Sequence, residues 1–72
     1  MVSYKPLFRL LVDRDMSKAD LMRAAHISPN TMTKIRKNEE VSMTILNKIC
    51  AVLQVSYGDI IEYIHKDNDM ED

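Results

Sequence analysis

The chain has a single glycine, so no loop is present in which backbone amides alone cradle a phosphate. It has a single cysteine, Cys50, which excludes an internal disulfide framework and points to a reducing compartment. No apolar run approaches the ~20 residues that a membrane span needs. The opening MVSYKPLFRLL lacks a small-residue cleavage site, so a secretory signal is not expected. Histidine is scarce, and His26, His65 and Cys50 have no metal-ligand spacing. No base stands in a suggestive relation to any serine, so nucleophilic catalysis has no candidate. With 72 residues there is one domain, and it has no room for a deep cleft with a lid. No catalytic residue, metal, cofactor or small-molecule substrate is therefore expected.

What is present is polarised. The net charge is −1, yet residues 1–38 carry eight Lys/Arg against three Asp, whereas residues 39–72 carry two Lys against eight acids. The halves hold +5 and −6. Such a split hints at a nucleic-acid face, although charge alone fits a solvated surface equally well.

One local pattern recurs. An apolar residue precedes a serine, and another follows it four positions later: Met16-Ser17 with Leu21, Ile27-Ser28 with Met32, Val41-Ser42 with Leu46, Val55-Ser56 with Ile60. Serine is a preferred N-cap, because its hydroxyl accepts a hydrogen bond from an otherwise unpaired amide of the first turn. The flanking apolar pair is a hydrophobic staple. Asp20 and Asp59 stand where a capping box places its acid, and Pro29 suits the first helical position. Four starts imply four helices, and an earlier one is expected from about Tyr4 to Arg14. Its wide apolar arc (Leu7, Phe8, Leu10, Leu11, Val12) should be buried on more than one side. The small Ala24 and Ala25 should admit a close neighbour. Met22 and Met32 read as core filler and Cys50 as a small buried hydrophobe. No strand pattern is evident. The fold class is all-α, a five-helix bundle over residues 1–66, with an acidic, fraying tail over 67–72.

The stretch HISPNTMTKIRKN then makes sense. About four residues separate Ala24 from Pro29, so the second and third helices are joined by a tight turn. On a wheel of about 100° per residue, Met32 and Ile35 face inward, and Asn30, Thr33, Lys34 and Lys37 face outward. Asn can bond adenine bidentately, Thr can touch a thymine methyl, and Lys can reach guanine or phosphate. No acid interrupts residues 28–37. A plain wet surface is the bland alternative for that stripe.

MSKADLMRAAHISPNTMTKIRKN resembles the lambda-repressor-like, Cro/Xre-type helix-turn-helix domain through Leu21, Ala25, Ile27-Ser28, Met32 and Ile35. VSMTILNKICAVLQVSYGDIIEYI is similar to that family's fourth and fifth helices, so the likeness covers about residues 5–65. The resemblance implies a compact five-helix fold and sequence-specific double-stranded DNA binding in transcriptional control, typically by repression. It implies a cytoplasmic protein, bacterial or phage-encoded and nucleoid-associated. It places the DNA-facing residues at Lys18, Ser28, Pro29, Asn30, Thr31, Thr33, Lys34, Lys37 and Asn38. There are departures. Pro29 replaces a frequent base-reading side chain. His26 stands where glycine is usual and a positive φ is needed. Arg36 and Leu11 cannot form the ion pair often found at these places. Glu39 and Glu40 occupy a loop that often meets phosphate. A protein-interaction module, such as an antitoxin or a partner of the transcription machinery, is the alternative reading. A homodimer is expected, because one recognition helix specifies only a short half-site. Its expected surface is the fifth helix, at Ile61, Tyr63 and Ile64.

Overall fold

The computed structural model describes residues 1–65. In chain order it contains strand β1 (Val2–Ser3), helices α1 (Lys5–Asp13), α2 (Lys18–Ala25), α3 (Pro29–Arg36) and α4 (Met43–Leu53), a 3₁₀ turn (Tyr57–Asp59) and strand β2 (Glu62–Tyr63). The tail expected over 67–72 lies outside the described residues. No helix among those described is long and apolar enough to cross a membrane.

Three of the serine starts form as their chemistry dictates. The hydroxyls of Ser17, Ser28 and Ser42 accept the amides of Asp20, Thr31 and Ile45 at 2.9, 3.2 and 3.3 Å. At α2 the Asp20 carboxylate also accepts the Ser17 amide at 3.0 Å, which closes the capping box. The helix ends share a second device. Asp15, His26, Asn38 and Gln54 all adopt φ between 54° and 59°, and none is glycine. Each left-handed residue turns the next amide back on the helix. Met16, Ile27, Glu39 and Val55 donate to the carbonyls of Leu11, Met22, Lys34 and Cys50 at 2.9, 2.9, 2.9 and 3.1 Å. This six-to-one bond is the Schellman closure, normally built with glycine.

The fifth helix does not form. The Asp59 carboxylate accepts the Ser56 amide at 2.9 Å, but the structure after Ser56 stops at one 3₁₀ turn. Gly58 is a poor helix former, and Ile60, Ile61, Tyr63 and Ile64 favour extended chain. Ile60 is fully buried, and the chain then straightens to pair antiparallel with β1, Val2 opposite Tyr63 and Ser3 opposite Glu62. Among the described residues the architecture is therefore four α-helices with a 3₁₀ turn and a two-stranded sheet that pairs Val2–Ser3 with Glu62–Tyr63, not five helices.

The core is built from Leu7 and Leu11 of α1, Leu21 and Ala25 of α2, Met32 and Ile35 of α3, Leu46, Ile49 and Leu53 of α4, and Tyr4, Ile27 and Ile60 between them. Helix α1 buries a narrower arc than its composition suggests. Val12 is 75% exposed, while Phe8 and Leu10 are half-buried. Ala25 is buried, but Ala24 is exposed. Burial and the Asp59 carboxylate raise the pKa of the half-buried Cys50 thiol, which favours its protonated form.

Candidate nucleic-acid interface

The α2–α3 unit is set by three residues. His26 takes φ 57°, ψ 50° and ends α2. Ile27 is buried and anchors the turn in the core. Ser28 caps α3, and its hydroxyl also donates to the Thr31 hydroxyl at 3.0 Å. Only three residues, 26–28, separate the two helices, which restricts their relative orientation.

With Met32 and Ile35 buried, α3 turns its other face outward. Pro29, Asn30, Lys34 and Lys37 are exposed, and Thr31 and Thr33 are half-buried. Thr33 spends its proton inside the helix, donating to the Pro29 carbonyl at 3.0 Å. Its hydroxyl oxygen keeps an acceptor lone pair. Ser28 and Thr31 are engaged with each other, so their first task is to hold the helix start. Asn30, Lys34 and Lys37 thus form the stripe whose side-chain polar atoms have no partner within the described residues. Arg36, which the resemblance marked only as a departure, is exposed beside them.

Other cations of the basic half have local work. The Lys18 ammonium lies 4.9 Å from the centre of the Phe8 ring. Arg23 pairs with Asp20 at 2.6 Å, the one ion pair among the described residues. The amide and hydroxyl of Ser17, with the Arg23 guanidinium, hold the Asp20 carboxyl below its usual range. The Arg14 guanidinium donates to the Leu53 carbonyl and ties the ends of α1 and α4 together.

Asn38 has a role that its type did not reveal. Its Oδ1 accepts the Tyr4 amide at 3.0 Å, at the start of α1. The Tyr4 hydroxyl donates to the Glu39 carbonyl at 2.7 Å. Tyr4 is almost wholly buried, so the segment just after α3 is clamped at two points to the residue that caps α1. The sequence offered one clue, since Asn at a helix end tolerates a positive φ. Tyr4, 34 residues away, carried none. Ile61, Tyr63 and Ile64 lie on or beside β2. Tyr63 and Ile64 are 65% and 38% exposed, and Ile61 is half-buried.

Two short helices joined by a tight turn, the second offering an acid-free polar face, define a helix-turn-helix domain. The model of the Cro/C1-type helix-turn-helix DNA-binding domain matches residues 7–66, and the chain belongs to that family. Among solved structures the chain is similar to the crystal structure of the transcriptional regulator VanUg, form II. The two are 48% identical over 90% of this chain and 87% of that one, with a TM-score of 0.88. No curated protein matches the chain closely enough to add to this.

Proposed function

We propose that the chain is a DNA-binding transcriptional regulator, a repressor, that reads the major groove with α3. Family membership supports DNA as the partner, and likeness to a transcriptional regulator supports the regulatory role. The observation that carries the reading of α3 is its exposed stripe, Asn30, Lys34 and Lys37, free of acids and held on a capped helix. Asn30 suits an adenine edge, Lys34 a guanine or phosphate, and the Thr33 methyl a thymine methyl. Lys37 and Lys18 suit phosphates flanking the read bases. Ser28, Pro29, Thr31 and Asn38 serve by fixing the two ends of the reading helix, with Pro29 offering its ring face. Repression is the simplest outcome of such binding, since a protein seated on a site excludes others from it. Two copies on half-sites about 34 Å apart would raise specificity beyond what one short helix can supply.

The test separates base reading from charge. Asn30→Ala should weaken binding to the preferred duplex by about 1–3 kcal/mol and relax preference at one base pair. Lys37→Ala should weaken preferred and random duplexes alike. Equal effects of both changes on both duplexes, measured by fluorescence anisotropy, would remove base reading by α3.

A further inference from the structure

A groove of about 510 Å³ runs between the two-stranded sheet, the loop after α3 and the start of α4. Tyr4, Val41, Leu46 and Ile61 line it, and Tyr57 and Tyr63, 43% and 65% exposed, stand at its sides. Its charged members are Glu40 and Glu62, both exposed and in no ion pair among the described residues.

The outer side of α1 has the opposite character. Phe8 and Val12 are one turn apart, and Val12 at 75% is the most exposed large apolar side chain among those described. Lys5, Arg9 and Lys18 flank this ridge, and Asp13 is the only acid along it among the described residues. The two surfaces adjoin. A shallow dent lined by Pro6, Arg9, Gly58 and Asp59 lies between them, sharing Arg9 with the ridge and Gly58 with the groove.

We propose that two copies of this chain pair about a two-fold axis near Pro6 and Gly58, the α1 ridge of each seated in the groove of the other. Charge decides among the symmetric arrangements. Groove on groove sets Glu40 and Glu62 against their own copies, and ridge on ridge does the same to Lys5 and Arg9. The reciprocal arrangement places Lys5 and Arg9 opposite Glu40 and Glu62 twice. It covers Val12, Tyr57 and Tyr63, and the adjoining surfaces let both contacts close in one dimer. This deepens the two-copy reading above and rests on it, with Tyr63 and Ile61 acting from a strand and its approach in place of a helix.

The experiment is sedimentation of the full chain over a concentration series at low salt, where exposed charges are least screened. The variants are Lys5→Glu/Arg9→Glu, Glu40→Lys/Glu62→Lys and the uncharged Val12→Ser. All five positions are exposed and their side chains make no hydrogen bond among the described residues, so the fold should survive. The wild type should dimerise. Each double variant alone should pair at least about tenfold more weakly, because like charges then face each other. An equimolar mixture of the two should recover the dimer, since each reversed face meets a reversed or native complement. Val12→Ser should weaken pairing without changing the charge. A monomeric wild type, variants that pair like it, or a mixture no better than its parts overturns the proposal. Band-shift stoichiometry on a two-fold site tells the readings apart. Two copies bound by every variant would remove this surface but leave the two-copy reading, whereas a single copy of wild type would remove both.

Discussion

Tyr4 shows how much one side chain decides. Its hydroxyl and amide are both used against the segment that ends α3, and its ring fills the space beneath. Burial raises the hydroxyl's pKa, with the Glu40 carboxylate acting the same way and a hydrogen bond at Val41 opposing them. The folded state thus favours the protonated phenol. Its contribution is complete below the ordinary tyrosine range, about pH 10, and is lost as pH rises through the higher folded value. Tyr4→Phe should cost about 1–2 kcal/mol at neutral pH, because the Glu39 carbonyl loses its donor. The gap to wild type should close above about pH 10 in urea titrations run across pH. A gap independent of pH would mean that titration of the hydroxyl is not coupled to folding. Gln54 is strained where Tyr4 is content. It sits at φ 57° with an exposed side chain that makes no hydrogen bond among the described residues. A left-handed residue costs about 1–2 kcal/mol unless it is glycine, and glycine costs about 0.5–1 kcal/mol in chain entropy. Gln54→Gly should therefore raise stability by up to about 1 kcal/mol, a rise in Tm of a few degrees, roughly 4–8 °C per kcal/mol at this size. An unchanged or lower Tm would show the closure of α4 to be unstrained.

The elements owe their starts to serine and their ends to residues that tolerate a left-handed turn. At α3 the start matters most, because an eight-residue helix is marginal without help. Ser28→Ala removes the acceptor for Thr31 and should cost about 1 kcal/mol. Amide exchange at Thr31 should quicken while the amides in the middle of α4 change only with global stability. Uniform quickening across both helices would show that the cap does not act locally. The failure of the same rule at Ser56 is equally informative. The capping pattern there was legible, and one turn did form. A cap only begins a helix, however. Extension past Gly58 into a run of β-branched residues had to compete with pairing to Val2 and Ser3, about sixty residues earlier.

At the scale of the whole molecule, charge is unevenly spread, with +5 over residues 1–38 and −6 over 39–72. The fold then takes Arg14, Arg23 and Lys18 partly into local contacts, while Lys34, Arg36 and Lys37 at α3, like Lys5 and Arg9 on α1, stay exposed and outside any ion pair among the described residues. Each phosphate neutralised contributes about −0.9 to the slope of log affinity against log salt, so about five contacts give a slope of roughly −4 to −5. Anisotropy titrations on a random duplex at several salt concentrations check this. A flat response would point to a partner other than DNA, which the exposed Glu39 and Glu40 would suit.

The sequence by itself determined the α-helices, the turn and the identity of the outward stripe, since capping, staples and a 3.6-residue period act over a few neighbours. It also marked His26 as a left-handed residue, from the type of residue that usually stands there. Tertiary structure alone decided three things: that Tyr4 grips Asn38 and Glu39, that the final apolar stretch becomes a strand, and that Val12 stays outside. Each depends on segments far apart in the chain meeting in space, and the cost of closing such loops grows only slowly with length. Distant pairings are therefore only modestly less available to the folding chain than near ones, yet no local pattern records which of them it takes.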